Sequence, residues 1–268
     1  MILLKRYIEL ILLKEGLSKI DSVATPLDLN VQIVLNLEGN IGNRSNSFAR
    51  LLGELQYIAN TMWPDIAYVV NRLASFMANP SLQHSIALKR ALRYLVGTRD
   101  LGIMYRSDAH KPELHGYTDA AYGNSDVFKS TTGYVFIASG RAIMWSSKRQ
   151  ITQAQSSTEA EYVAMSEASH EACWLQSLHT ELRLLQVDVP TQIYGDNEGS
   201  IAMVNNLTFH KKSKHIAIHW HWVCNLVQDG VVRFDSCRDP QQTADVLMKA
   251  LPCIKHKQHA REMGLASV

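Results

Sequence analysis

The chain has 268 residues, of which 46% are hydrophobic and 19% are charged, so it has the composition of an ordinary globular protein with one large domain or two small ones. The formal net charge is +2 and the isoelectric point is about 8.3. These values exclude an overall basic field, so any binding of nucleic acid must depend on a local patch.

The cysteines and the apolar start of the chain bear on its location. The four cysteines are far apart and include no C-x-x-C pair, and nothing resembles a secretory signal. We therefore expect reduced thiols in an intracellular protein, cytoplasmic or nuclear. The apolar residues 1–13 are interrupted by Lys5, Arg6 and Glu9 and are fewer than the roughly 20 that a membrane span requires. They predict a packing helix within residues 3–17 and no membrane partner.

Helical periodicity is the main signal between residues 48 and 96. Before it, residues 22–47 are rich in Gly, Pro, Asn and Ser and predict a linker. Three apolar stripes then predict three helices, the second following Pro64, the third following Pro80 and ending at Gly97. Together they predict a small helical bundle.

The second half of the chain alternates between strands and helices. Residues 114–122, 133–138 and 142–145 predict an antiparallel meander, and a long helix follows from near Ser156 to about Leu185. The remaining predicted elements are a strand over 191–194, helices over 198–205 and 214–227, a strand over 231–235 and a last helix over 241–250. Three strands followed by alternating helix and strand imply a mixed sheet covered by helices.

Four acidic residues lie where this prediction places catalytic groups. They are Asp119 in the first strand, Glu161 on the long helix, Asp196 after the fourth strand and Asp245 in the final helix. Mg²⁺ prefers carboxylate oxygens, and two ions about 4 Å apart can hold the attacking water and the leaving oxygen of a phosphodiester. Scattered carboxylates are more often solvated surface groups, but one within a core strand is costly unless it is paired or bound to metal.

Helical spacing separates the two glutamates at the start of the long helix. Glu161 lies at steps of three and four from Ala164 and Ala168, whereas Glu159 shares its face with Ser166 and His170. The spacing predicts that Glu161 points toward the sheet and Glu159 toward solvent.

Short segments around these carboxylates are similar to a known family. In chain order they are residues 116–120, 129–135, 145–148, 156–162, 196–197, 243–245 and 249–252. Seven matches in the correct order resemble the ribonuclease H domain of copia-type retrotransposons. The resemblance implies an α/β fold, a ribonuclease H-like five-stranded mixed sheet flanked by helices and preceded by a small helical bundle. It also implies that Asp119, Glu161, Asp196 and Asp245 are catalytic residues that bind two Mg²⁺ ions, with Mn²⁺ as a substitute.

The first half resembles other parts of the same polyprotein. Residues 63–67, 71–73, 77–80 and 88–98 are similar to the region between polymerase palm and ribonuclease H, and residues 7–8 and 25–27 to the end of the palm. The implied domains are a palm remnant and linker over 1–47, a thumb or connector bundle over 48–107 and a ribonuclease H-like domain over 108–268. The paired-aspartate strand of a polymerase active site is absent, so we expect no polymerisation.

The implied function is endonucleolytic hydrolysis of the RNA strand of RNA–DNA hybrids during retrotransposon reverse transcription. The implied partners are the hybrid and other parts of a Pol polyprotein. The chain departs from the family pattern at five positions. Trp63 and Phe128 stand where Arg is usual, Ala121 and Ala217 where Asp is usual, and Met248 where Thr is usual. The alternative is therefore a catalytically decayed fragment that is at most a nucleic-acid-binding module.

Basic residues near the predicted helix at 214–227 are candidates for binding the nucleic-acid backbone. Lys211, Lys212 and Lys214 form the densest basic run, at a helix start where backbone N–H groups also attract phosphate. We expect them, with Asn197, to contact nucleic acid. The alternative is a solvated loop.

Overall fold

The fold was analysed in a computed structural model, which describes residues 4–37, 44–105, 114–125, 127–182, 189–205 and 217–267. The helices are α1 (Lys5–Lys14), α2 (Arg44–Thr61), α3 (Ala67–Ala74), α4 (Leu82–Thr98), α5 (Ser157–Glu181), α6 (Glu198–Asn205), α7 (Ala217–Gln228) and α8 (Cys253–Glu262). The strands are β1 (Leu101–Ile103), β2 (His115–Ala121), β3 (Thr131–Ala138), β4 (Arg141–Arg149), β5 (Thr191–Gly195), β6 (Val232–Ser236) and β7 (Leu265–Ser267). Short 3₁₀ helices occupy Pro64–Ile66, Asp239–Gln241 and Thr243–Leu247.

The chain forms two compact units. A helical unit contains residues 1–105 and 249–268, and a sheet unit contains residues 106–248. The sequence prediction instead placed residues 249–268 in the domain that starts at residue 108. The functional identity of the three predicted segments stays a prediction.

The last helix and strand belong to the helical unit because of contacts that the sequence did not reveal. Strand β7 pairs antiparallel with β1. In α8, the buried residues are His256, His259 and Ala260. A helix that buries two histidines and one alanine has no apolar stripe, so hydrophobic periodicity could not detect it.

The sheet unit is built on a five-stranded mixed sheet, which confirms the predicted fold class. The strand order is β4-β3-β2-β5-β6; β2, β3 and β4 run antiparallel as a meander, and β5 and β6 run parallel to β2. Its hydrophobic core includes Phe136 and Ile193 from the strands and Tyr162, Met165 and Ala168 from α5. The small alanine side chains of α5 let the helix approach the strands closely. Helix α5 corresponds to the long helix that the sequence predicts.

The register of the sheet aligns the ends of its central strands. Tyr117 of β2 pairs with Tyr194 of β5. When this register is continued for two residues along both strands, Asp119 lies beside Asp196. On the other side of β2, Asp119 pairs with Gly133 of β3. Directly paired residues point to the same face of a sheet, so these positions form one row across it.

Two predicted elements differ in the structure. Residues 241–250 were predicted to form the final α-helix, but Asp245 lies in the 3₁₀ helix Thr243–Leu247. Strand β4 is longer than predicted and contains a β-bulge at Ile143, opposite the step from Phe136 to Ile137 of β3. Its last four residues, 146–149, are all polar, so the apolar pattern revealed only the first part of β4.

Two further features concern the chain as a whole. All four cysteines are free thiols that form no disulfide bond. Among the helices that the structure describes, none is long and apolar enough to cross a membrane.

Candidate active site

Asp119 lies near the carboxyl end of the central strand β2 and is almost fully buried, with 1% of its surface exposed. Its Oδ1 accepts a hydrogen bond from the backbone N–H of Ala120 at 2.7 Å. Its Oδ2 accepts no hydrogen bond from a donor group among the described residues. A buried carboxylate oxygen without a donor is costly, so this position requires a proton or a cation.

Glu159 and Glu161, the two glutamates in the first turns of α5, have different roles. Ser156 is the N-cap, and its Oγ accepts the backbone N–H of Glu159 at 3.1 Å. The Glu159 carboxylate in turn accepts the backbone N–H of Gln155 at 2.8 Å, so Glu159 serves the start of the helix. Glu161 is buried, as the helical-face argument predicted.

Three carboxylates converge on one point. Asp119, Glu161 and Asp196 each offer an oxygen, and these atoms lie within 4.8 Å of one another. Asp119 and Glu161 are buried, whereas Asp196 is exposed. The cluster is therefore anchored in the core on one side and open to solvent on the other.

Asp245 joins the cluster from the segment after β6. Its carboxyl lies within hydrogen-bonding reach of Asp119. The 3₁₀ helix that carries it packs against Gly133, where an added Cβ would lie 3.0 Å from the Ala244 carbonyl oxygen and 3.0 Å from Leu247. Gln242 fixes the same segment by donating a hydrogen bond from Nε2 to the Thr118 carbonyl at 3.1 Å.

Crowding of these carboxyls changes the proton affinity of Asp119. Burial, the negative charge of Glu161, a hydrogen bond with Asp245 and the charge of Asp196 raise the pKa of Asp119 to about 10. Without metal, Asp119 therefore keeps its proton at neutral pH, as expected for carboxyls packed this closely. A divalent cation would replace that proton.

Cys237, which no sequence motif marks, also lies beside the cluster. Its backbone N–H donates to the Gly195 carbonyl at 2.8 Å, so it follows β6 just as Asp196 follows β5. Burial and the charges of Asp196, Asp119 and Asp245 raise the pKa of Cys237 to about 11. If β5 and β6 are recognised as a parallel pair, their register places Cys237 next to Asp196.

The structure adds little support for the predicted nucleic-acid-binding residues. Lys211, Lys212 and Lys214 lie outside the described residues. The Asn197 side-chain oxygen accepts the backbone N–H of Ser200 at 2.9 Å and its hydroxyl at 3.1 Å. Asn197 thus stabilises the first turn of α6, and contact with nucleic acid stays a prediction for all four residues.

The residues of the cluster fit Mg²⁺. Every candidate ligand is a carboxylate, which is the donor that this hard cation prefers, and Asp119 contributes a buried oxygen that lacks a partner. The fold and the site thus define an α/β protein with a carboxylate cluster at the ends of neighbouring strands. Assignment of the four residues as metal ligands and catalytic groups remains a prediction.

Comparison with known proteins gives the family. No family model matches the chain. It is 37% identical over 265 residues to the retrovirus-related Pol polyprotein from transposon RE2 of Arabidopsis thaliana, an alignment that covers 98% of this chain and 18% of the relative. It is 34% identical over 271 residues to the Pol polyprotein from transposon TNT 1-94 of Nicotiana tabacum, covering 98% of this chain and 20% of the relative. The chain belongs to the retrovirus-related Pol polyproteins of copia-type transposons and spans about a fifth of the length of these relatives.

A solved structure of LC11-RNase H1, isolated from compost, is also similar. It matches 51% of this chain and 92% of its own, with 18% sequence identity and a TM-score of 0.40. The family assignment rests on the sequence relatives.

Proposed function

We propose that the chain hydrolyses the RNA strand of RNA–DNA hybrids endonucleolytically, by two-metal-ion catalysis, as part of retrotransposon reverse transcription. The observation that supports this most is the convergence of Asp119, Glu161 and Asp196 within 4.8 Å, with Asp245 against Asp119. A structural site has little reason to collect like charges, because their repulsion lowers stability. Membership of the Pol family agrees with this function.

The chemistry follows from the carboxylates. Two Mg²⁺ ions bound there, or Mn²⁺ in their place, would activate the attacking water and stabilise the leaving oxygen of the RNA strand. Asp119 would hold the cation on the buried side of the site in its deprotonated form. Asp196 is exposed and would lie on the substrate side, while Glu161 and Asp245 lie close to Asp119.

The proposed substrate is recognised by its shape. A nuclease for hybrids must distinguish them by backbone geometry and the 2′-hydroxyl rather than by base sequence. Lys211, Lys212, Lys214 and Asn197 are the proposed contacts to the backbone. The remaining parts of a Pol polyprotein are the proposed protein partners.

Replacement of Asp196 tests the proposal. Asp196→Asn removes the exposed carboxylate without changing side-chain size, and we expect it to lower the rate of cleavage by at least roughly 100-fold, because a lost metal ligand removes several kcal/mol of transition-state stabilisation. The matched control is Asp235→Asn, which alters an exposed aspartate that pairs with Arg233 at 3.0 Å. The measurement is magnesium-dependent cutting of a hybrid labelled on the RNA strand.

Two outcomes would contradict the proposal. Wild-type protein that leaves the hybrid intact at every magnesium concentration would exclude the activity. Binding of the hybrid without cleavage, unchanged by Asp196→Asn, would support the alternative of a catalytically decayed nucleic-acid-binding fragment.

A further inference from the structure

The loop between β2 and β3 exposes an unusual group of apolar side chains. It starts directly after the strand that carries Asp119, and the exposed fractions are 50% for Tyr122, 45% for Val127 and 69% for Phe128. Single exposed apolar residues are normal on a protein surface, but three in one short loop are unusual. In a loop that follows the strand of a candidate active-site residue, they suggest contact with a ligand.

Phe128 also adopts an unfavourable backbone conformation. Its φ is 55°, in the left-handed region that bulky residues avoid, and among the described residues other than glycine only Ser139 shares this region. Because Phe128 is exposed, core packing does not offset this strain. Neither the packing nor the backbone explains a phenylalanine here, and strained residues often occur at functional positions.

Hydrogen bonds hold the loop in place. Phe128 donates its backbone N–H to the Ser125 carbonyl at 2.9 Å, and Lys129 donates its own to Ser125 Oγ at 2.8 Å. Asn124 Nδ2 donates to the Met248 carbonyl at 3.0 Å, three residues after Asp245. The aromatic residue is thus held by a loop that is tied to two elements of the carboxylate cluster.

We propose that Phe128 is an apolar wedge that enters the minor groove of the RNA–DNA hybrid and positions the RNA strand over the carboxylates. Its loop begins three residues after Asp119, or about 10 Å along an extended strand, which is within reach of nucleotides next to the cut. The minor groove of an A-form helix is wide and shallow, and phenylalanine is one of the residues that proteins insert into minor grooves. An arginine at this position would pair with phosphate, which phenylalanine cannot do. This inference rests on the proposed cleavage of hybrids.

Binding of the hybrid measures the contact directly. In the full chain with Asp196→Asn, which prevents cutting, we expect Phe128→Ala to raise the dissociation constant roughly tenfold, in the range found for aromatic contacts to bases. The slope of affinity against salt should not change, because an apolar contact releases no counterions, whereas Phe128→Arg should steepen it by about one phosphate contact. Trp174→Ala is the matched control, since Trp174 is 51% exposed on α5 and lies outside the loop.

A second variant separates a role in binding from a role in folding. Glycine adopts a positive φ without strain, so Phe128→Gly should melt at a higher temperature than the wild type. It should nevertheless bind the hybrid as weakly as Phe128→Ala. If Phe128 were only structural, thermal stability and affinity would fall together.

The outcomes distinguish this inference from the proposed function. If wild-type protein cuts the hybrid but Phe128→Ala binds it as tightly as the parent, the wedge is wrong and the nuclease stands. If wild-type protein binds the hybrid, does not cut it and loses affinity on Phe128→Ala, the wedge stands and the nuclease is wrong. If no hybrid binding is measurable, both are wrong.

Discussion

At the residue scale, Asp119 is the group whose chemistry depends most on its surroundings. One of its carboxylate oxygens lacks a donor, and its burial in the sheet together with the neighbouring carboxyls raises its pKa to about 10. An aspartate in an unfolded chain has a pKa near 3.9. The folded, metal-free protein therefore binds a proton at Asp119 that the unfolded chain does not bind at neutral pH.

This difference predicts how stability varies with pH. Because the folded-state pKa is raised, the stabilisation from this proton is fully present below pH ~4 and is lost as pH rises toward about 10. Between pH 6 and pH 8, the metal-free wild type should lose stability with rising pH more steeply than Asp119→Asn, which should be the more stable of the two at pH 8. Thermal melts of metal-free protein measure both effects, with Asp235→Asn as a control that keeps the wild-type slope.

Magnesium should reverse the order at pH 8. The cation replaces the proton of Asp119, so it should raise the melting temperature of the wild type and not that of Asp119→Asn. Equal pH slopes for the wild type and Asp119→Asn would show that Asp119 does not keep its proton in the folded protein.

At the element scale, the site depends on how closely the 3₁₀ helix Thr243–Leu247 approaches β3. Gly133 allows this approach, because any Cβ there would meet the Ala244 carbonyl oxygen and Leu247 at 3.0 Å. Both atoms belong to the segment that carries Asp245. A methyl group at Gly133 would therefore push Asp245 away from Asp119.

Gly133→Ala tests this packing. We expect it to destabilise the protein by about 1–3 kcal/mol, as overpacking of a tight interior does, and to reduce cleavage of the hybrid. The matched control is Gly53→Ala in α2, where a Cβ would meet nothing within 4 Å and should raise stability by ~0.5–1 kcal/mol through helix propensity. Chemical denaturation gives both free energies of unfolding. A Gly133→Ala protein with wild-type stability and activity would show that the 3₁₀ helix has room to move.

At the scale of the whole molecule, the last residues of the chain complete the helical unit. Asp65 is buried there, and Tyr94 donates a hydrogen bond from its hydroxyl to Asp65 Oδ2. His256 of α8 contacts the Asp65 carbonyl through Nε2 at 3.2 Å, and its ring lies edge-on to that of Tyr94. Loss of α8 would expose this buried polar group, and loss of β7 would remove the partner of β1.

Truncation after residue 248 should therefore destabilise the helical unit and leave the sheet unit folded. We expect residues 106–248 to fold alone, instead of the sequence-predicted 108–268. In the full chain, His256→Ala should cost about 2–4 kcal/mol, because it leaves a cavity and an unpaired carbonyl, whereas Lys257→Ala on the exposed face of the same helix should cost less than ~0.5 kcal/mol. Hydrogen exchange resolved by segment measures these effects. Equal protection of residues 44–105 with and without residues 249–268 would contradict the prediction.

Much of the fold and of the candidate site could be predicted from local sequence. Short runs bounded by turn-rich segments identified β2 and β3, and helical spacing separated Glu161 from Glu159, because each signal depends on residues a few positions apart. Short motifs in order led to the family and to all four carboxylates. These features are determined by the sequence itself.

Other features were decided only by contacts between distant parts of the chain. Cys237 lies beside Asp196 because β5 and β6 pair in parallel. The Asn124 side chain donates a hydrogen bond to the carbonyl of Met248, 124 residues further along the chain. The α8 helix buries His256 against Asp65, which no periodic pattern marks. The raised pKa of Asp119 likewise comes from burial and from charges on other elements. Periodicity records which face of an element is apolar, but it does not record which element that face meets, so the tertiary structure alone determined these contacts and the electrostatics that follow from them.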